Sequence, residues 1–552
     1  MRARVTTGLR AALVAGAAVL LGGCGAPESG SAMGNMPVGG ATGTELAAEQ
    51  ILNKNNGAEP QTLDPHRAEG VPASNILRDL FQGLVSEAPD GGLIPGAAES
   101  WQISADGTVY TFTLRADGRW SNGDPVTGAD FEYGIKRSVD PATLSQYSSI
   151  LFPIVNAERI VKGELTPDHL GVTALDDLTL KIRLIAPTPY FLGLLTHSTT
   201  YPVHPPSVKE FGNRFARAGT LVSNGAYILD EWVVQSHIRL LRNENYWGNE
   251  ETVIDEVNYL PIENQDAMLK RYRAAELDFT QDLPFKQIAW IRENLADELY
   301  INPYLGSYYY SLNLTLPPFA DAPKLRRALA LAVDREVLVK KITGSGEIPA
   351  YSWVPPVAGY TQQVPDWAGW TQNRRAAEAQ RLYKESGYSK DSPLTLQFLY
   401  NTSENHKRIA VAIASMWKQL LGVETKLLNQ EWKVFLDTRK QKAMPGVARN
   451  GWIGDYNDAY TFAQLLASNN EQNDSGFANE EYDALLNAAA VEPDMQKRAA
   501  LMEAAERLML KEQPIIPIYF YVNKHLIKPW VGGFKPNIMD HHYTKNLYIL
   551  KH

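Results

Sequence analysis

The chain has 552 residues, too many for one core and enough for two or three domains. Its 53 basic and 62 acidic side chains are mixed without blocks and give a net charge of −9. An acidic, evenly mixed surface excludes nucleic acid and an anionic membrane surface as main partners. The single cysteine, Cys24, excludes disulfides and thiolate metal clusters.

Arg2, Arg4 and Arg10 precede an apolar run, Ala11 to Leu21, and then Gly22, Gly23 and Cys24. A charged start, a short apolar core and small residues before the cut describe a secretory signal over residues 1–23. Leu21-Gly22-Gly23-Cys24 also has the form of a bacterial lipobox, which makes Cys24 the lipidation site and the mature N-terminus. The alternatives are an uncleaved anchor helix and an unmodified buried thiol. Cleavage removes three Arg and no acid, taking the net charge from −9 to −12. Residues 24–44, rich in Gly, Ala, Ser and Pro, read as a flexible linker between lipid and body. Contact with the membrane is then through the N-terminal lipid only.

Val109 to Arg115 alternates apolar and polar, which is strand periodicity, between the turns at Asp106-Gly107 and Ser121 to Pro125. Leu178 to Leu184 and Val233 to Leu241 read as further strands. Asp321 and Pro323 mark a helix start, with Leu325, Leu329, Ala332 and Leu338 on its apolar side and an end before Gly344. A second helix is predicted from Asn405 to Leu421 with Trp417 in its buried stripe, and a third from Met495 to Lys511. Strands Leu394–Tyr400 and Ile515–Val522 lie between helices, so this part is α/β. The last thirty residues read as an ordered return segment.

No G-x-S-x-G elbow, Walker loop, H-E-x-x-H or EF-hand loop is present. His541-His542 reads as a surface pair, and the other His residues lack ligand spacing. Asp455 and Asp458, three apart, have no other support as an acid/base pair. No catalytic residue, metal or cofactor is expected.

Three stretches together resemble the extracytoplasmic solute-binding proteins of peptide ABC transporters. They are Ser100 to Thr127 (SWQISADG, YTFTLR and WSNGDPVT), Asn224 to Gly248 (NGAY and LRNENYWG), and Leu325 to Arg335 (LRRAL and AVDR). From about Gln50 to His552 the chain is similar to the oligopeptide-permease branch of Gram-negative bacteria. The markers are Asn55 to Gly57, Leu63 to His66, Glu69 to Pro72, Tyr400 to Ser403, Asn429 to Arg439, Gly451 to Asn457, Tyr521 to Asn523 and Lys528 to Gly533.

This resemblance implies an α/β, two-lobed, hinged binding protein of class II type with an extra domain in the first lobe. Lobe one would comprise residues 45–82, 206–305 and 523–552, the additional domain 83–205 and lobe two 306–522. The implied activity is capture of short peptides in the interlobe cleft and delivery to ABC permease subunits, by a monomeric, lipid-anchored protein of the Gram-negative periplasm. Other readings are capture of cell-wall (murein) peptides and an exported peptide-binding chaperone.

The resemblance also implies the site. Glu69, Gly70 and Val71, with Gly451, Trp452 and Ile453, would pair with the peptide backbone as added strands. The two glycines suit close backbone approach, and ordinary turn glycines are the alternative. Asp455 would take the peptide's ammonium; the alternative is a loop Asp capping a helix near Asp458. His406, Arg439 and Arg449 would meet the C-terminal carboxylate at different ligand lengths, against an alternative of salt bridging. Tyr147, Asn401, Trp432, Trp452 and Tyr521 would line the cleft, with core packing the alternative for the two Trp. Related proteins carry a disulfide where this chain has Gly306 and Ile453, so that staple is absent. Asp282 stands where Asn is expected and would shift preference toward basic peptides.

Overall fold

A computed structural model describes residues 43–552. The signal, Cys24 and all of the linker up to residue 42 lie outside the described residues. Among the described residues no helix is long and apolar enough to cross a membrane.

Three larger sheets organise the chain. The first has the order Ile51–Asn55, Glu256–Leu260, His237–Arg242, Tyr227–Val233. Its first pair is parallel and the others antiparallel. The strand expected over Val233 to Leu241 is a correction: the segment crosses a hairpin turn, and Gln235 adopts φ 60° between the two strands. The turn carries no Gly, Pro, Asn or Asp to mark it; the only local sign is the break in alternation, Val233-Val234 followed by Gln235-Ser236. The second sheet, in the order Ala98–Ile103, Val109–Leu114, Thr179–Arg183, Val172–Asp176, is antiparallel throughout. It contains two of the strands read from alternation. Its inward residues Tyr110, Phe112, Leu180 and Ile182 belong to the same hydrophobic core as Leu52, Tyr227 and Val257 of the first sheet.

The third sheet has six strands, in the order Ile348–Pro349, Ile515–Leu526, Leu299–Leu312, Val447–Ile453, Thr395–Asn401, Glu424–Gln430. Leu299–Leu312 and Ile515–Leu526 are long antiparallel partners, with a register shift between Pro303 and Ser307. The expected boundaries at 305/306 and 522/523 fall inside this pair.

Helix Glu404–Leu421 starts at Ser403, whose hydroxyl accepts the His406 amide at 3.4 Å, and ends at Gly422 in the left-handed region. Trp417 is fully buried on its inner face and donates to the Leu329 carbonyl at 3.0 Å. Helix Met495–Glu512 starts at Asp494 and stops at Gln513, before Pro514. The single helix expected from Asp321 is two elements: Pro323–Leu331, and a second start at Asp334 leading through Arg335–Val337 to a wide turn, Leu338–Thr343. Asp334 accepts the Val337 amide at 3.0 Å, and this local cap competes with continuation of the first helix. The C-terminal segment is ordered: Val531–Gly532 pairs with Tyr548–Ile549, and the Ile549 amide reaches Gln50 at 2.9 Å.

Trp417→Ala is expected to destabilise the protein by about 3–5 kcal/mol through the cavity it leaves. Urea unfolding of the two proteins checks this.

Candidate functional site

One cavity of about 350 Å³ borders the six-stranded sheet and is closed by residues from distant parts of the chain. All fourteen predicted binding residues line it. Glu69, Gly70 and Val71 come from the start of helix Val71–Leu80, and Tyr147 from a short turn in the region of the second sheet. Asn401 and His406 flank the start of helix Glu404–Leu421, and Trp432 and Arg439 lie on helix Trp432–Lys440. Arg449, Gly451, Trp452, Ile453 and Asp455 follow strand Val447–Ile453, and Tyr521 sits on the long strand Ile515–Leu526.

Strand Val447–Ile453 pairs on one side with Leu299–Leu312 along its whole length. On its other side, pairing with Thr395–Asn401 covers only Val447 and Ala448. The edge from Arg449 to Ile453 therefore faces the cavity without a strand partner, and an open edge accepts an extended chain. Gly451 is inside this strand and not in a turn; a Cβ here would overlap the Tyr521 hydroxyl. Gly70 adopts φ 79°, and a Cβ here would stand 2.7 Å from the Trp432 ring. Trp432 also has a buried indole N–H with no partner among the described residues.

Asp455 ends the open edge. Its carboxylate accepts one side-chain bond, from the Thr461 hydroxyl at 3.2 Å. His197 Nε2 lies 3.6 Å away, but burial, with help from His541 and Arg78, holds this imidazole down to about 3, so it is neutral and no ion pair forms. Burial pushes the Asp455 carboxyl up to about 7, against the Thr461 hydrogen bond. Asp458 is the structural member of the two: it caps at the Tyr460 amide (2.8 Å) and holds Arg498 through two bonds of 2.9 Å.

The three basic residues differ in state. Arg439 is engaged by Asp474 at 2.5 Å and Gln472 at 3.3 Å. Gln472 also donates to Glu69 at 3.2 Å, so one network joins the two walls. Arg449 donates to the Tyr521 hydroxyl at 2.7 Å and to Asn401 at 3.3 Å, and lies over the Tyr308 ring. No carboxylate among the described residues pairs with it, and its buried Nε has no partner. His406 is held well below its ordinary value by burial and by the Arg449 and Lys524 charges, so it offers a neutral imidazole.

Lys524 and Gln472 were missed by the sequence reading. Lys524 lines the cavity beside Glu347 at 3.1 Å and Asp282 at 3.7 Å. A charge inside the apolar strand Ile515–Leu526 was the available signal; Gln472 gives none. Asp282 lines the cavity and accepts from Asn405 at 3.2 Å. Gly306 and Ile453 are direct register partners, and the Ile453 δ-methyl fills the space of a Gly306 Cβ. The surface reading of His541-His542 is a correction. Both are largely buried: His541 pairs with Glu87 at 2.6 Å and His542 with Asp540 at 2.9 Å. The packing of Phe534 and Phe279 against His542 encloses it, a contact invisible to local pattern.

The family model for bacterial extracellular solute-binding proteins, family 5 (Middle), matches residues 92–474. The chain belongs to this family. It is 44% identical over 515 residues to the periplasmic oligopeptide-binding protein OppA of Escherichia coli, covering 92% of this chain and 94% of that one. Haemophilus influenzae OppA in complex with the peptide RPPGFSPFR has a TM-score of 0.89 at 41% identity, covering 92% of this chain and all of that one. The E. coli murein tripeptide binding protein MppA gives 0.90 at 41% identity, covering 92% and 100%. Its unliganded open form gives only 0.65, covering 93% and 99%. These relatives share the two-lobed fold.

The raised Asp455 value fixes a pH dependence. An unfolded Asp loses its proton near 3.8, the folded one near 7, so between these values the fold holds a proton that the unfolded chain has lost. Stability of the peptide-free protein therefore falls as pH rises through this window. Asp455→Asn is expected to flatten that slope and to melt higher than wild type at neutral pH. Thermal melts from about pH 4 to 7.5 check this.

Proposed function

We propose that this protein captures short peptides in the cavity and delivers them to an ABC oligopeptide permease. The observation that carries the reading is a buried carboxylate with no cationic partner, Asp455, at the end of an open strand edge whose other end holds Arg449 without a carboxylate. A peptide supplies what each lacks: an ammonium for Asp455, a carboxylate for Arg449 and main-chain donors and acceptors for the edge between. Support comes from the similarity to OppA, whose Haemophilus homologue is solved with a peptide bound.

Within this proposal Glu69, Gly70 and Val71 pair with the peptide from the opposite wall. Arg439, already held by Asp474, answers ligands that reach deeper, and neutral His406 donates a hydrogen bond. Lobe one comprises 45–82, 206–305 and 523–552, with 83–205 added to it and 306–522 as lobe two. The paired strands Leu299–Leu312 and Ile515–Leu526 then carry the chain between lobes and act as the hinge. No bond is made or broken in the ligand, and the protein acts as a monomer. Cys24 carries the lipid that holds it to the periplasmic face of a membrane. Murein peptides also carry a free amine and carboxylates, and competition between a murein tripeptide and trialanine ranks the two ligand classes.

Asp455→Ala is expected to weaken tripeptide binding by a hundredfold or more, since breaking a buried ion pair costs about 3–5 kcal/mol. N-acetylation of the peptide should act alike on wild type. Calorimetry checks both, and wild-type affinity in the variant would sink the assignment. Because the bound ammonium favours ionised Asp455, binding releases a proton below pH 7 or so. Affinity should fall as pH drops, approaching tenfold per unit, and Asp455→Asn should lose that dependence.

A further inference from the structure

We propose that His525, Asp540 and His542 form a binding site for a divalent transition-metal ion of the zinc, nickel or copper type. Among the described residues this is the one place where three such donors converge, all ligand atoms lying within 4.8 Å of one another. His525 Nε2 is 2.7 Å and His542 Nε2 2.9 Å from the same oxygen, Asp540 Oδ1. All three side chains are nearly enclosed.

The surroundings orient the donors as metal ligands are oriented. His525 Nδ1 lies 2.7 Å from the Thr280 carbonyl and Nε2 2.7 Å from Asp540 Oδ1; both partners accept, so the ring donates at both nitrogens in the metal-free protein, and an incoming ion displaces the Nε2 proton while Nδ1 keeps its own. Asn523 donates to Asp540 Oδ1 at 3.0 Å and fixes the carboxylate. Asp540 adopts φ 55°, a left-handed conformation that Asp enters more readily than most residues. The residue is thus placed between two imidazoles that come from a strand end and from the C-terminal loop.

The donor set selects the ion. Two imidazole nitrogens and one carboxylate suit Zn²⁺, Ni²⁺ or Cu²⁺, whereas Ca²⁺ and Mg²⁺ require mostly oxygen donors. The buried Lys54 ammonium stands over the Phe279 ring, which packs on His525; its charge opposes any cation here, so affinity must come from the imidazole and carboxylate donors themselves. The present separations are hydrogen-bond lengths. A tetrahedral Zn²⁺ with bonds of ~2.0–2.1 Å needs donors about 3.3 Å apart, so each imidazole nitrogen must move about half an ångström from the Asp540 oxygen. Three protein ligands leave one position open, as in exchangeable zinc sites. Asp540 lines the peptide cavity, which supplies the ion's route of entry.

The test uses the purified chain with any affinity tag removed and after chelator treatment. Calorimetric titration with ZnCl₂ is expected to show one equivalent bound and a raised melting temperature. Co²⁺ is expected to give the intense visible bands of a tetrahedral nitrogen–oxygen site. His542→Ala and Asp540→Asn should each weaken Zn²⁺ binding about tenfold to a hundredfold. His542→Ala should leave metal-free tripeptide affinity unchanged, which shows that the variant is folded. No stoichiometric Zn²⁺ uptake by wild type, or undiminished uptake in His542→Ala, overturns the proposal. Should the Asp540 variant not fold, the Co²⁺ spectrum of wild type decides, because an octahedral, weakly absorbing ion is not held by this cluster. Failure here leaves the peptide reading intact, since that reading stands on Asp455 and its own titration.

Discussion

Asp455 is enclosed by protein, with one hydroxyl for its carboxylate and a neutral imidazole at 3.6 Å. A carboxylate in that position is disfavoured as an anion unless a cation arrives. The rest of the cavity is organised around the same deficit. Arg449 keeps its charge among tyrosines and an amide, and the strand between the two charges has an unpaired edge. Each unmet requirement is one that a zwitterionic extended chain fulfils. Affinity drawn from main-chain and terminal groups, which every peptide shares, does not depend on reading side chains.

Closure of the cavity depends on contacts between segments far apart in sequence. Gln472 reaches Glu69 and the Gln146 carbonyl, Gln265 reaches Ser403, and Trp432 covers Gly70 so tightly that no Cβ fits. The high similarity to a peptide complex and the much lower similarity to an open unliganded relative describe the same closed arrangement. Polar contacts of this kind are individually weak in water, about 0.5–1.5 kcal/mol each. A closed state held by them can reopen, which a delivery protein requires.

How much was legible in the sequence differs by element. The strands over Val109–Leu114 and Thr179–Arg183 and the helices Glu404–Leu421 and Met495–Glu512 followed from apolar spacing, because each buries one face against a core. The reversal at Gln235 and the second helix start at Asp334 did not, because the hairpin turns at a left-handed Gln without the usual turn residues and the capped break leaves apolar residues at near-helical spacing on both sides. The cavity-lining residues were found through family likeness. No spacing rule connects Glu69 with Gln472, or Thr461 with the carboxylate it serves.

The sequence by itself determined the two-lobed family fold, fourteen of the cavity-lining positions and the absence of a disulfide, since these depend on residue identity along the chain. Tertiary structure alone decided the charge states. Asp455 and Asp458 are three residues apart and equivalent on paper, yet one is desolvated without a cation and the other is paired with Arg498. Arg439 and Arg449 divide in the same way, through Asp474. His542 turns from an expected surface residue into one member of a buried cluster with His525 and Asp540. Electrostatics of this kind depend on which groups exclude water from which others, a property of the packed chain and not of its order.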